Sequence, residues 1–354
     1  MLLALAACNK IETNVQPVEN NEGIPFSATI SVGNNATTKA LAESGSTIVA
    51  TWAVDETVAL IHNGVKDEMT VSAVNEGVAT ITGTITGSPS DGDAVTVIYP
   101  ASAADGTTGK IKANLLYEQK GLLTGEGSIA EKYDARKGTG KLKVDGTATL
   151  DGSVSLTNQY AIFKFTTKNA AGSATINVKP LTITIGEQKY VITPASATSE
   201  LFVALPAVAD QAVRFSATGS DSKTYTCSKA SVTFAAGKYY KSTLKMAPPI
   251  TVTWNNNDIT GSGNSFSKGG VTITAGSIDF DEKNFEENGT FTTSLGNFTK
   301  IEVVATNGFC DVAGTGWSGN SEKRTWTGNA SSVSFIGDIY GDGNGIKFVF
   351  TIEP

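Results

Sequence analysis

Short runs in which apolar and polar residues alternate follow one another along the chain from Phe26 onward. Clear examples are Phe26–Val32, Val78–Ile85 and Ala94–Tyr99, each bounded by Gly, Asn, Asp, Ser or Pro. A period of two between turn-forming residues predicts half-buried β-strands joined by tight turns. Only the segment 128–137 has helical spacing, and it is short. The pattern therefore predicts an all-β chain.

The predicted strands fall into three groups. They occupy residues 24–157, 158–247 and 250–354, and Pro248-Pro249 predicts a stiff linker before the third group. A length of 354 residues agrees with two or three domains. The strand spacing suits antiparallel sandwiches. The third group holds three of the four tryptophans and is predicted to be a small β-sandwich or jelly roll.

The first eight residues, ending in Leu5-Ala6-Ala7-Cys8, are apolar and small up to the cysteine. They resemble the end of a bacterial lipoprotein signal peptide, in which Cys8 would carry the lipid. Residues 1–8 are thus predicted to be a signal-peptide remnant, and the polar residues 9–23 a flexible tether. The alternative is a chance cysteine in a frayed N-terminus. Without an apolar run of about 18 residues, membrane attachment would depend on this lipid.

The net charge and the small number of histidines and cysteines limit the kinds of site that the chain can form. A net charge of −7 argues against nucleic acid as a partner, since phosphate binding needs a basic face. His62 is the only histidine, which argues against a Ser-His-Asp site and a histidine-based zinc site. It precedes the hairpin dipeptide Asn63-Gly64 and is predicted to be exposed. Cys227 and Cys310 form either a disulfide or two small buried residues.

Four short motifs occur one after another along the first two groups. They are Thr38-Lys39-Ala40 followed by Trp52-Ala53-Val54-Asp55-Glu56-Thr57-Val58, then Val97-Ile98-Tyr99-Pro100-Ala101, then Phe202-Val203-Ala204-Leu205-Pro206, and finally Ala235-Ala236-Gly237-Lys238-Tyr239-Tyr240. Together they resemble the fimbrillin family, the subunits of type V pili and related surface lipoproteins. The resemblance covers about residues 24–246 and leaves the third group unexplained.

The resemblance implies two transthyretin-like Greek-key β-sandwiches. It also implies proteolytic maturation after a basic residue near the first strand, which here is Lys39 followed by Ala40. The strand Phe26–Val32 would then leave, and a strand of another pilus subunit would fill the groove by β-augmentation. The alternative places Lys39 in a solvated loop. The extra C-terminal group favours a tip, accessory or stand-alone adhesin over a stalk subunit.

The third group offers two further candidate sites. Trp317, in a Gly-rich stretch, is a candidate for stacking on a sugar ring, with Asn320 and Asp311 to orient hydroxyls; alternatively, it packs back on the sandwich end. The acidic pairs Asp279 with Asp281 and Asp338 with Asp342 are candidate calcium ligands, although neither loop has the EF-hand pattern. Solvated turns are the alternative, and no other cofactor is expected.

These observations predict a non-catalytic, outer-membrane-anchored surface lipoprotein that acts in adhesion or as a fimbrial tip or accessory subunit. Its partners would be pilus subunits or a host or bacterial surface ligand. The alternative is a glycan-binding surface lipoprotein that captures polysaccharide for an outer-membrane importer. An enzyme is not expected, since small sandwich modules without a recognisable site act mostly as binders.

Overall fold

The computed structural model describes residues 23–32, 42–44, 47–49, 52–306, 308–341 and 345–354. Strands dominate these residues, which confirms the prediction of an all-β chain. The predicted signal-peptide remnant with Cys8, the tether up to residue 22, and Lys39, Ala40 and Asp342 lie outside the described residues. In the described part of the chain, no helix is long and apolar enough to cross a bilayer.

The strands of the first unit form a closed ring. Its elements are β1 (Ile24–Val32), β2 (Ala42–Ser44), β3 (Thr47–Val49), β4 (Thr57–His62), β5 (Val65–Asn75), β6 (Val78–Ile85), β7 (Ala94–Tyr99), a 3-10 turn (Ala101–Ala103), β8 (Glu118–Gln119), a helical turn (Ile129–Tyr133), β9 (Arg136–Asp145), β10 (Thr147–Leu150) and β11 (Val154–Asn158). From β1 the ring runs through β6, β5, β4, β7 and β9, and it returns to β1 through β10 and β11. β2 and β3 form a separate hairpin, and β8 joins the second unit.

Alternating side chains of the ring strands fill one core. Fully buried examples come from five different strands: Ile30, Leu60, Met69, Ile81 and Val97. Their polar neighbours along each strand lie outside, as the period of two requires. The excursion between β7 and β9 covers the outer face of β4 and β7 with Ala101, Ala103 and Ala104.

The second unit consists of two sheets around its own core. Its strands are β12 (Tyr160–Asn169), β13 (Val178–Ile185), β14 (Gln188–Ile192), β15 (Glu200–Pro206), β16 (Val208–Gly219), β17 (Thr224–Phe234) and β18 (Tyr239–Met246). The sheet β15-β12-β18 faces the sheet β17-β16-β13-β14-β8, and the rings of Phe165 and Phe215 meet between them at 5.4 Å. Leu116 and Ile129, which precede residue 157, also belong to this core.

The third unit also has two sheets that share one core. Its elements are β19 (Ile250–Asn255), a 3-10 turn (Asn256–Asp258), β20 (Ser265–Lys268), β21 (Val271–Asp279), β22 (Asn284–Thr293), β23 (Asn297–Ala305), β24 (Phe309–Cys310), β25 (Trp317–Gly319), β26 (Lys323–Ala330), β27 (Ser332–Phe335), β28 (Ile339–Tyr340) and β29 (Ile346–Glu353). One sheet runs β19-β29-β23-β26-β25, and the other runs β20-β21-β22-β28-β24 with β27 also paired to β22. The Greek-key and jelly-roll arrangements stay predictions.

The second and third units are joined by more than the proline pair. Ala247 exchanges two backbone hydrogen bonds with Thr226, at 2.8 and 3.0 Å. The Arg214 Nε donates to the Glu353 carboxylate at 2.8 Å, and the Arg214 NH2 group makes a second bond to the same carboxylate. The side chain of Glu353 is 3% exposed. The Arg214–Glu353 contact fixes the last strand of the third unit against the second, and the Ala247–Thr226 pair holds the residue before the prolines on the second unit.

Two local predictions are wrong. His62 is buried, because β4 continues through it and places it on the same face as Val58 and Leu60; its Nε2 lies 3.5 Å from a carboxylate oxygen of Asp67. The predicted turn at Asn63-Gly64 is correct, with φ of +45° and +76°. The helix predicted over 128–137 is only one turn, Ile129–Tyr133, since strand β9 already begins at Arg136.

Candidate functional site

The candidate site is β1 and the groove that it fills in the first unit. On one edge β1 is antiparallel to β6 over eight residue pairs, from Ile24 opposite Ile85 to Ser31 opposite Val78. On the other edge it is parallel to β10 at one position and to β11 at three. Removing β1 would open the ring and leave the backbone N–H and C=O groups of two strand edges unpaired.

The inward face of β1 is apolar along its whole length. Phe26, Ala28, Ile30 and Val32 are 3%, 6%, 0% and 9% exposed, whereas Thr29 faces solvent. Burying a Phe, Ile or Val side chain contributes about 1.5–3 kcal/mol, so the three larger side chains contribute about 5–9 kcal/mol together. The groove thus offers both a hydrogen-bonding edge and side-chain pockets, which are the two requirements of strand addition.

Two of the family-like motifs meet in the core of the ring. Trp52 packs edge-on against the ring of Tyr99, with 4.9 Å between the ring centroids. The Tyr99 hydroxyl donates a hydrogen bond to Glu56, whose other carboxylate oxygen accepts from the Ala53 N–H at 2.7 Å. Burial and the neighbouring Glu56 carboxylate raise the pKa of Tyr99. Glu56 therefore links the two motifs by hydrogen bonds inside the ring.

The chain on the far side of the predicted cleavage position docks on the second unit. Glu43 of β2 lies 3.2 Å from the Lys164 Nζ of β12 and 2.5 Å from the Lys241 Nζ of β18. The hydrogen bond from Lys241 is the main cause that lowers the pKa of Glu43 to about 2. Lys39 and Ala40 lie outside the described residues, between β1 on the first unit and β2 on the second.

The candidate sugar-stacking residue Trp317 packs on the core of the third unit. It begins strand β25 and pairs with Trp326, so it is not in an open loop. Its indole N–H donates to the Ser334 carbonyl at 3.2 Å, and its ring lies 6.3 Å from Phe291. The structure thus favours the alternative, in which the ring packs back on the sandwich.

Asn320 closes a turn, whereas Asp311 joins two segments that are distant in the sequence. The Asn320 side-chain oxygen accepts from the backbone N–H groups of residues 322 and 323, at 3.1 and 2.9 Å. An Asp311 carboxylate oxygen accepts from the Asp338 N–H at 2.6 Å. Both side chains accept backbone hydrogen bonds, and their role in orienting sugar hydroxyls stays a prediction.

The candidate calcium ligands Asp279 and Asp281 belong to the hairpin between β21 and β22. An Asp279 oxygen accepts from the N–H groups of Asp281 and Glu282, at 2.8 and 3.0 Å, and these bonds lower the pKa of Asp279. An Asp338 oxygen accepts from the Glu287 N–H at 2.8 Å. Within the described residues, no three acidic, histidine or cysteine side chains come together as a metal site. The calcium prediction gains no support from these residues.

The two described cysteines are free thiols. Cys227 and Cys310 are both buried, one in the second unit and one in the third. Burial raises the pKa of each thiol to about 11. Of the two alternatives, the small buried residue is the one observed.

No family model and no curated protein sequence matches this chain. Several solved structures do. A fimbrial protein from Bacteroides ovatus is 14% identical over 63% of this chain and 49% of its own length, with a TM-score of 0.32. This chain therefore spans about half of that protein. A fimbrial assembly protein from Parabacteroides distasonis is 12% identical over 62% of this chain and 90% of its own, with a TM-score of 0.35. The tip fimbrial protein Mfa3 from Porphyromonas gingivalis is 10% identical over 63% of this chain and 96% of its own length, with a TM-score of 0.30.

The residue of this site that the sequence did not indicate is Glu43. Its partners Lys164 and Lys241 lie more than a hundred positions away, and its own neighbours form no recognisable motif. Only the arrangement of the two units brings these charges together. Glu56, in contrast, lies inside the family-like motif that begins at Trp52.

Proposed function

We propose that this protein is a non-catalytic surface adhesion or fimbrial subunit that exchanges strand β1 for a strand of another subunit. Cleavage after Lys39 separates β1 from β2, and the released groove takes up the partner's strand. The observation that supports this proposal most directly is the position of β1. It closes the ring, pairs along both edges and buries one apolar face, so its loss creates a complete acceptor groove.

The docking of β2 supports the same proposal. Glu43 holds the chain after the cleavage position on the second unit, through Lys164 and Lys241. After a cut at Lys39, β1 is therefore retained only by its own strand pairing and its side chains. The mature chain then begins on the second unit and leaves the groove of the first unit free.

Limited trypsin treatment of the full chain tests the proposal. We expect a new N-terminus at Ala40, and the variant Lys39→Gln to resist this cut. The cleaved protein should take up a labelled peptide with the sequence of Ile24–Val32, and the same peptide with Ile30→Asp should not bind. The proposal fails if the cleaved protein stays monomeric with a partner subunit present and takes up no peptide.

Anchoring is a separate part of the proposal. In the uncleaved chain, Cys8 would carry a lipid that attaches the protein to the outer membrane at the cell surface, and cleavage after Lys39 would release the mature chain from this anchor. Mass spectrometry of the uncleaved protein from its native host should find Cys8 at the N-terminus with acyl chains attached. An unmodified Cys8 in that sample would remove the lipid anchor from the proposal and leave the strand exchange untouched.

A further inference from the structure

The third unit carries a regular array of hydroxyl side chains, called the hydroxyl grid below, on the outward face of one sheet. One row consists of Ser265, Thr274, Thr290 and Ser334, and the other of Ser267, Thr272, Thr292 and Ser332. Within each row, neighbours pair directly across strands β20, β21, β22 and β27. The residue between the two rows on each strand is apolar and buried: Phe266, Ile273, Phe291 and Val333.

The grid is held in a fixed geometry. Adjacent strands lie about 4.8 Å apart, and the two rows lie about 6.7 Å apart along the strands. Neighbouring hydroxyl oxygens approach each other within the rows: Ser267 and Thr272 at 2.7 Å, and Thr290 and Ser334 at 3.1 Å. A hydroxyl group can donate one hydrogen bond and accept two, so each pair keeps capacity that faces solvent.

A groove continues the second row at one end of the grid. It has a volume of about 510 Å³, and three grid residues, Ser267, Thr272 and Thr292, form part of its wall. The turn Gly269–Gly270, with φ of +64° and +79°, lies in the lining together with the hydroxyl residues Thr293 and Ser294. Val271 and Lys268 complete it, and the Lys268 ammonium group is paired with the Asp258 carboxylate. The grid thus continues into a shallow polar groove.

The chemistry of the grid is neutral and polar. None of its eight side chains is charged or aromatic. The outward face of the opposite sheet differs, since Glu302 there pairs with Lys300 and Lys323 at 2.9 and 2.6 Å. The one cation among the groove residues, Lys268, is already paired with Asp258, so these residues offer no unpaired Arg or Lys for an anionic ligand. Protein partners are usually held by aromatic and Arg anchors, which the grid lacks. A neutral ligand rich in hydroxyl groups is the match for this face.

We infer that the hydroxyl grid, with its groove, binds a neutral polysaccharide. A single hydrogen bond to a hydroxyl group contributes little net free energy, because it replaces a bond to water. Binding therefore requires many such contacts made together along a polymer, and a free monosaccharide is not retained. The inference goes beyond strand exchange and does not rest on it, since the grid lies in a different unit from β1.

Sedimentation of the full chain with insoluble cellulose, mannan and curdlan tests the inference. Wild type should bind at least one of them, and free glucose or mannose should not compete. A variant in which four grid threonines are changed to Val should bind at least about 10-fold more weakly than wild type. The four positions are Thr272, Thr274, Thr290 and Thr292. Valine keeps the β-branched shape, so the strands are retained. The same four positions changed to Ser keep their hydroxyls and should retain binding.

A matched control changes four outward threonines of the opposite sheet, Thr251, Thr253, Thr325 and Thr327, to Val. This variant should bind like wild type, and thermal unfolding should show that both Val variants are folded. The inference is overturned if wild type binds none of the three polysaccharides, if it binds only an acidic one such as alginate, or if both Val variants bind like wild type. These outcomes leave the trypsin and peptide results for β1 unaffected.

Discussion

Replacing Ile30 with alanine should weaken the closure of the ring. Ile30 is fully buried in β1, with β6 on one side and β11 on the other. Truncation of a buried isoleucine to alanine costs about 2–5 kcal/mol, from lost burial and from the cavity that remains. β1 is held in the ring by its strand pairing and by its inward side chains. The lost free energy should therefore appear as easier opening of the pairing between β1 and its neighbours β6 and β11.

Hydrogen exchange measured by mass spectrometry can locate the effect. Amides of β6 and β11 that bond to β1 become exposed when β1 opens, so their exchange reports that opening. A cost of about 2–5 kcal/mol corresponds to exchange about 30-fold to 4,000-fold faster than in wild type. Thr29→Ala is the matched control: Thr29 is the neighbour on the solvent face, and its change should shift exchange by about 2-fold at most.

The third unit provides an internal reference in the same experiment. Strands β23 and β29 share no core residue with the ring, so their exchange should not change in Ile30→Ala. If exchange in β6 and β11 matches that of Thr29→Ala, β1 does not hold the ring closed. If exchange rises equally in β29, the variant destabilises the whole protein and the localised argument is refuted.

Three other predictions follow from charged and thiol groups. Glu43→Gln should speed proteolysis of the β2–β3 hairpin at neutral pH, because it removes the ion pairs to Lys164 and Lys241. In wild type these ion pairs stabilise the docked hairpin fully above the ordinary carboxyl pKa, and this stabilisation is lost as the pH falls toward about 2. Near pH 2, proteolysis of wild type should therefore match that of the variant. Arg214→Ala should cost about 1–3 kcal/mol in thermal unfolding, because it leaves the buried Glu353 carboxylate unpaired, whereas Glu353→Gln should cost less. Cys227 and Cys310 should resist iodoacetamide at pH 8 in the folded protein and react once it is unfolded in urea; rapid labelling of the folded protein would contradict their burial.

Strands with clean alternation could be predicted from sequence almost residue by residue. Val78–Ile85 and Ala94–Tyr99 have the predicted bounds, since a two-residue period between turn residues has one structural interpretation. Asn284–Thr293 was missed, because its polar start directly follows the candidate calcium ligands Asp279 and Asp281. A strand edge and a liganding loop can share the same oxygen-rich sequence, and only the partner strand distinguishes them.

The candidate site was predictable only in part. The sequence indicated β1, because its alternation and its place before Lys39 are local features. That β1 closes a ring depends on pairing with β6, which is more than forty positions away, and with β11, which is more than a hundred positions away. The burial of His62 is similar: the turn at Asn63-Gly64 was correct, but the length of β4 depends on its neighbours, and that length decides which way the histidine points.

The hydroxyl grid shows how register creates a surface that composition does not reveal. The triplets Ser-Phe-Ser, Thr-Ile-Thr, Thr-Phe-Thr and Ser-Val-Ser are visible in the sequence, and each by itself predicts only a strand with one apolar residue inward. A slip of one residue in any pairing would turn hydroxyls into the core and an aromatic or aliphatic side chain into solvent. The buried Phe266, Ile273, Phe291 and Val333 therefore fix the register that aligns the hydroxyl rows. The same interior packing that stabilises the third unit thus sets the geometry of its outward face.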